Sequence, residues 1–169
     1  MNYPPLRQIL ESFASEEACV AQLTRIRWAR GPRCPRCTHK HVSPFKAKTK
    51  SGKLGKLYQC KHCRRQFSVT GGTIFHNSHR PLTDWLVVIY LMDSSKMRIS
   101  AKEVERMLGV GYETAWHMHG RVSEAMKDKY QKAFLQALIG ATEDHDPYRM
   151  EIGSRYPPLW KDGVSLFPG

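Results

Sequence analysis

Two short pairs of cysteines constrain this chain more than anything else in it. Cys34-Pro35-Arg36-Cys37 and Cys60-Lys61-His62-Cys63 are C-x-x-C segments separated by 22 residues. A C-x-x-C turn presents two sulfurs on one side of a tight loop, and two such turns can close a tetrahedral shell. The spacing therefore predicts one structural Zn²⁺ per chain, held by Cys34, Cys37, Cys60 and Cys63, with no coordination position left for catalysis. Iron in the same four-thiolate geometry, a redox dithiol and two disulfides are the competing readings. A redox motif is ordinarily single and lies near a βαβ pattern, which this sequence lacks. The total of five cysteines is odd, which also weighs against a disulfide framework. Cys19 stands apart on an early helix and reads as a small buried residue. His39, His41 and His62 flank the pairs. With four thiolates at hand they read as neighbours of the ligands or as phosphate contacts, not as ligands. His76 and His79 carry no assignable chemistry.

Charge narrows the partner. Between Glu17 and Asp84 lie 66 residues with fifteen basic side chains and no acid, in a chain whose net charge is +12. Ordinary soluble surfaces mix the two signs. An acid-free stretch suits a polyanion, because neutralising phosphates releases condensed counterions and gives affinity without sequence information. Lys48, Lys50 and Lys53, in a Lys/Gly linker over 48–55, and Arg64 and Arg65, after the second cysteine pair, are the candidate phosphate contacts. A membrane partner is not expected. The longest apolar run, Trp85 to Met92, has eight residues where a spanning helix needs about 20, and no strongly basic amphipathic helix presents the charge to a lipid surface. The opening residues lack a charged-then-apolar secretory pattern, so the expected location is the cytoplasm.

With 41% hydrophobic residues, four Trp, seven Tyr and six Phe, the chain has enough apolar material to fold as one domain or two small ones. Ser15 can cap a helix over about 16–28. Short strands are expected at Val42–Ala47, Lys56–Lys61 and Gln66–Val69, and Gly71-Gly72 closes that unit. Helices resume with Thr83 as the expected cap of the apolar run. Ser100-Ala101-Lys102-Glu103 is a capping box opening a short helix to Leu108. Gly109-Val110-Gly111 is a tight turn. From Tyr112 one long helix is expected, with an apolar stripe at Ala115, Val122, Met126, Tyr130, Ala133 and Ala137. The fold class is thus α+β: an N-terminal helix, a small metal-binding β unit, then an all-α bundle with a long C-terminal helix and an irregular tail. The expected divisions are 10–75, 80–139 and 140–169.

The helix, glycine turn and second helix have the length and punctuation of a helix-turn-helix, with an ordinary helical hairpin as the alternative. With the apolar stripe inward, Tyr112, Glu113, Thr114, His117 and Arg121 are expected to project outward. Tyr112, Thr114, His117 and Arg121 are therefore the candidate contacts to double-stranded DNA. Trp116 is expected in the core.

Taken in order, these residues resemble a family. Arg27-Trp28, Gly31, Cys34-Pro35-x-Cys37 and Tyr58-x-Cys60-x-x-Cys63 are followed by Phe67-Ser68-Val69, Gly72-Thr73-Ile74-Phe75-His76 and Pro81-Leu82-x-x-Trp85. Ser100-Ala101 and Leu108-Gly109-Val110 then lead to Tyr112-x-Thr114-Ala115-Trp116. The run, over about residues 10–130, is similar to the amino-terminal half of bacterial insertion-sequence transposases that carry a zinc ribbon ahead of a DDE catalytic core. Thr38 stands where that family often has Gly. The resemblance implies a zinc ribbon and a helix-turn-helix that bind the element's terminal inverted repeats in DNA transposition. It also implies a first catalytic carboxylate in a segment like G-x-V-E-x-D-E. Gly140-Ala141-Thr142-Glu143-Asp144-His145-Asp146 is the nearest match, with His145 where the Asp should stand. Glu143, Asp144 and Asp146 read as a solvated acidic turn more readily than as a cation site. The expectation is a DNA-binding chain with no catalytic residues of its own. A free-standing regulator, or the DNA-binding half of a transposase whose catalytic domain is in a separate reading frame, are the alternatives. Self-association is compatible with either.

Overall fold

The computed structural model describes residues 5–28, 31–48, 54–95 and 99–140. In chain order its elements are α1 (Leu6–Ser12), α2 (Glu16–Arg27), β1 (Val42–Lys48), β2 (Leu54–Cys60), β3 (Gln66–Ser68), α3 (Leu82–Ser94), α4 (Ala101–Leu108), α5 (Tyr112–Lys127) and α6 (Lys129–Leu138). The chain is α+β, as its pattern predicts. The described residues cluster into two units, one of helices drawn from residues up to Ile26 and from Ser78 onward, the other spanning Arg27–Asn77. No helix among the described residues is long and apolar enough to cross a membrane.

In the helical unit each start has a visible cause. The Ser15 hydroxyl accepts the Ala18 N–H at 3.2 Å, and Glu16 and Glu17 sit in the first turn of α2, where the helix dipole favours negative charge. Cys19 and Leu23 are buried on this helix. Preceding it, α1 begins after Pro5 and buries Ile9; the sequence pattern predicts one helix here, and the structure has two. Helix α3 starts two residues earlier than a cap at Thr83 implies, with Pro81 at the cap position and no side-chain cap of its own. The Leu82 N–H instead donates to the Glu16 carboxylate at 2.7 Å, so an acceptor 66 residues away does the work expected of Thr83. Leu82, Trp85, Leu86, Val88 and Ile89 are buried, confirming the apolar run as a core helix.

The capping box forms as read. The Ser100 hydroxyl accepts the Glu103 N–H at 3.3 Å, and the Glu103 carboxylate accepts the Ser100 N–H at 2.7 Å. Gly109 ends α4 with φ +61°, a left-handed conformation that glycine adopts without a Cβ clash. Ala115, Met118, Val122 and Ala125 are the buried positions of α5. The expected long helix does not continue: at Asp128 the backbone turns extended, and its carboxylate accepts the Tyr130 and Gln131 N–H groups, both at 2.9 Å. Asp128 thus caps a new helix, because its short acceptor reaches the freed N–H groups better than a continued helix can use the residue. The apolar face is rotated accordingly. Tyr130 is 54% exposed, while Leu135, Leu138 and Ile139 are buried, and buried Gln136 donates to the Asp93 carboxylate at 3.0 and 3.1 Å.

The second unit is a three-stranded antiparallel sheet in the order β1-β2-β3. Strand pairing runs from Val42↔Cys60 to Lys48↔Leu54, so the linker is shorter than 48–55. Tyr58 faces Phe67 across β2 and β3. Trp28 lies edge-on to both rings, at centroid distances of 5.0 and 5.9 Å. The Arg27 guanidinium sits over the Trp28 ring and donates to the Val69 carbonyl.

The Ser100 backbone N–H, and then its hydroxyl, hold the Glu103 carboxyl below the ordinary carboxylate range. Glu103→Ala, which removes that carboxylate, should therefore destabilise the helical unit at neutral pH. Since the folded pKa of Glu103 is depressed, its contribution is present above the unfolded value and is lost as pH falls through the folded one. In urea melts followed by helical circular dichroism, the gap between wild type and variant should narrow from about pH 7 to about pH 3. A gap that widens in acid contradicts the box.

Candidate metal centre

Two turns of the same design carry the sulfurs. In the first, the Thr38 N–H donates to the Cys34 carbonyl at 2.9 Å and the Cys34 N–H to the His39 carbonyl at 3.1 Å. In the second, the Arg64 N–H donates to the Cys60 carbonyl at 3.0 Å and the Cys60 N–H to the Arg65 carbonyl at 2.9 Å. Each turn closes through a residue with positive φ, Thr38 at +59° and Arg64 at +60°. Cys60 is also the last residue of β2, paired with Val42 of β1, and the Lys61 N–H donates to the His41 carbonyl at 2.8 Å. Sheet register therefore brings the exit of the first turn against the second.

As a result the four sulfurs lie within 4.8 Å of one another. Cys34 Sγ is 3.5 Å from Cys63 Sγ, and Cys37 Sγ is 3.5 Å from Cys60 Sγ. These separations exceed the ~2.05 Å of a disulfide, and all four thiols are free. A tetrahedral centre with metal–sulfur bonds of about 2.3 Å has edges of about 3.8 Å, which the cluster fits. Cys34 and Cys60 are buried, and Cys37 and Cys63 partly so. Burial pushes the Cys34 thiol up to about 12, whereas the Cys63 backbone N–H leads the groups that draw Cys60 down to about 7. A bound cation reverses that cost of ionisation and holds all four as thiolates.

Among the described residues this is the group of three or more potential donors close enough to hold an ion, and it contains no histidine. His39 and His62, one from each turn, stack at 4.0 Å with planes 15° apart; His41 meets His39 edge-on at 6.5 Å. All three are exposed. Cys19 is buried on α2 and is not a member of the cluster; its Sγ is directed at the Phe13 carbonyl at 3.8 Å, and burial pushes its thiol up to about 11. It is the small core residue expected.

The candidate DNA contacts divide. Arg64 and Arg65 are exposed beside the second turn. Lys48 ends β1, while Lys50 and Lys53 lie outside the described residues, as do Glu143, Asp144, His145, Asp146 and the rest of the tail. On α5, Tyr112 and His117 are exposed, but Thr114 and Arg121 are half-buried, and burial pushes the Arg121 guanidinium below its ordinary pKa. These two are partly exposed, less so than Tyr112 and His117. Trp116, expected in the core, is 52% exposed. With Ala115 and Met118 facing inward, position 116 falls on the outer side, four residues from Tyr112. That i, i+4 spacing is the signal in the sequence that places the two rings on one face.

Residues 14–66 match the family model of the transposase zinc-ribbon domain. The match covers about a third of the chain and includes all four cysteines. The amino-terminal region is thus related to the zinc-ribbon part of insertion-sequence transposases. No curated protein and no solved structure matches the chain.

Thr38 has a β-branched side chain in a left-handed conformation that costs an L residue about 1–2 kcal/mol. Glycine relieves that cost and loses about 0.5–1 kcal/mol of it to the greater freedom of the unfolded chain. Thr38→Gly should therefore raise the stability of the metal-loaded ribbon by up to about 1 kcal/mol, read as a higher urea midpoint for that unit. A lower midpoint contradicts the turn geometry.

Proposed function

We propose that the chain is a zinc-ribbon DNA-binding protein of insertion-sequence transposition that acts on terminal inverted repeats in the cytoplasm. The observation that carries the reading is the convergence of four cysteine sulfurs inside the stretch that matches a transposase zinc-ribbon domain. Zinc is the ion this donor set suits best, since four thiolates in a tetrahedron make a closed structural centre with no position for water or substrate. In this reading the metal's role is to hold the ribbon's surface in shape.

The acid-free stretch supplies the affinity. Arg64 and Arg65, with Lys48, Lys50 and Lys53, neutralise phosphates. The helix-turn-helix of α4 and α5 supplies specificity, with α5 entering the major groove and Tyr112 and His117 nearest the base edges. Thr114 and Arg121 contribute from the margin of that helix. The N-terminus of α5 has no side-chain cap, which leaves its first N–H groups free of competition for a phosphate oxygen.

Binding of the metal-loaded chain to duplexes carrying the flanking inverted repeats tests this, with random duplex as the comparison. Affinity should fall steeply with salt. Arg64→Ala and Arg65→Ala should each flatten the log–log slope by about 0.9 for every phosphate no longer neutralised, on both duplexes alike. His117→Ala should weaken the repeat duplex more than the random one. Affinity that does not change with salt, or equal binding to both duplexes, overturns the proposal.

A further inference from the structure

The two cysteine turns carry something that ligand geometry does not require, a group of three exposed imidazoles. His39 closes the first turn and His62 lies within the second, and their rings stack at 4.0 Å with planes 15° apart. His41 meets the His39 ring edge-on at 6.5 Å, and its carbonyl accepts the Lys61 N–H of the second turn at 2.8 Å. His39 thus has one ring against its face and another at its edge. His62 has a ring on one face alone, and no further ring among the described residues meets it. The same turns bear Arg33, Arg36, Lys40, Lys61, Arg64 and Arg65, all exposed. Residues 31–77 contain no Asp or Glu, so nothing within this stretch competes for those cations.

Cations alone suit any phosphate. An exposed aromatic stack set among cations suits a strand whose bases are uncovered, with phosphates on the charges and a base on the ring. We propose that the free face of His62 is a stacking platform for an unpaired nucleobase of single-stranded DNA, with Lys61, Arg64 and Arg65 neutralising the neighbouring phosphates. This rests on the reading of the ribbon as a DNA-binding unit and adds the strand class that it takes. Inside a duplex each base face is covered by its neighbours, so only an unpaired base offers a face to His62. His39 backs the platform and His41 steadies His39, which orders the ring before the base arrives and lowers the cost of binding. One stacked ring comes from each turn, so closing the sulfur cluster also sets the platform. An acidic peptide would satisfy the cations and leave the ring face bare.

The test uses the full zinc-loaded chain and two fluorescent strands of equal length, oligothymidylate and its abasic counterpart. They carry the same phosphates and differ only in the bases. Wild type should bind the thymidylate strand about tenfold more tightly, the scale of one stacked base. His62→Ala should bring thymidylate affinity down to the abasic level and leave the abasic strand unaffected. His62→Phe, which keeps a ring face, should preserve most of the gap. Arg65→Ala should weaken both strands alike. The visible absorption of the cobalt-substituted chain reports the four-sulfur centre and should be the same in all three variants. In the wild-type chain the His62 ring protons should move upfield in NMR spectra when thymidylate is added, and stay in place with the abasic strand.

A gap that survives His62→Ala overturns the inference. So does wild-type binding that ignores the bases, although salt-dependent binding to duplexes then still supports the functional reading. If His62→Ala disturbs the cobalt spectrum, the wild-type ring protons decide: no upfield shift on thymidylate overturns the platform. A chain that binds neither strand nor any duplex removes the functional reading and this inference together.

Discussion

The meeting of four sulfurs is the constraint on which the Arg27–Asn77 unit depends. A sheet whose third strand has three residues buries little by itself, and a unit this small ordinarily needs a metal or disulfides to reach stability. The two C-x-x-C turns supply a binding site because each is closed by the same pair of backbone hydrogen bonds. They come together because β1 and β2 pair with Val42 opposite Cys60. Sulfur cluster and strand register therefore enforce one another. Without a cation the Cys34 thiol stays protonated in its buried place. With one, ligand ionisation and folding become the same event.

The aromatic wedge of Trp28, Tyr58 and Phe67 completes that unit from the side of the sheet. The helical unit is organised by other means. Its helices are fixed by local acceptors: Ser15 for α2, Glu16 for the first N–H of α3, the Ser100–Glu103 box for α4 and Asp128 for α6. Its cohesion comes from buried aliphatic side chains such as Leu23, Ile89, Val122 and Leu135. None of these contacts involves a metal, so the stability of these helices has a separate physical origin.

What can be read directly from the residues follows from the same physics. Cysteine spacing is legible because ligand geometry acts over three residues of backbone, and the Ser100 box is legible for the same local reason. The cap of α3 is not, since Glu16 is distant in sequence and only packing brings it to Leu82. The break at Asp128 is open to reading, because an Asp in a helical run is a cap as readily as a surface charge; an apolar stripe drawn through Tyr130 conceals it. Trp116 illustrates the limit of residue type as a guide to burial. Ala115, Met118, Val122 and Ala125 set the inward face of α5, and the tryptophan falls outside it.

Function attaches to these units at different depths. The relation of residues 14–66 to a transposase zinc ribbon and the geometry of the sulfur cluster bear on the same stretch of chain, and both fit a ribbon assembled around an ion. The most direct measurement is the amide NMR spectrum of the chain before and after the metal is stripped by a chelator. The account predicts that resonances between Gly31 and Asn77 collapse into the dispersion of an unfolded chain and return with one equivalent of Zn²⁺, while those of α3 to α6 keep their positions. Ribbon amides that hold their dispersion without metal would contradict it.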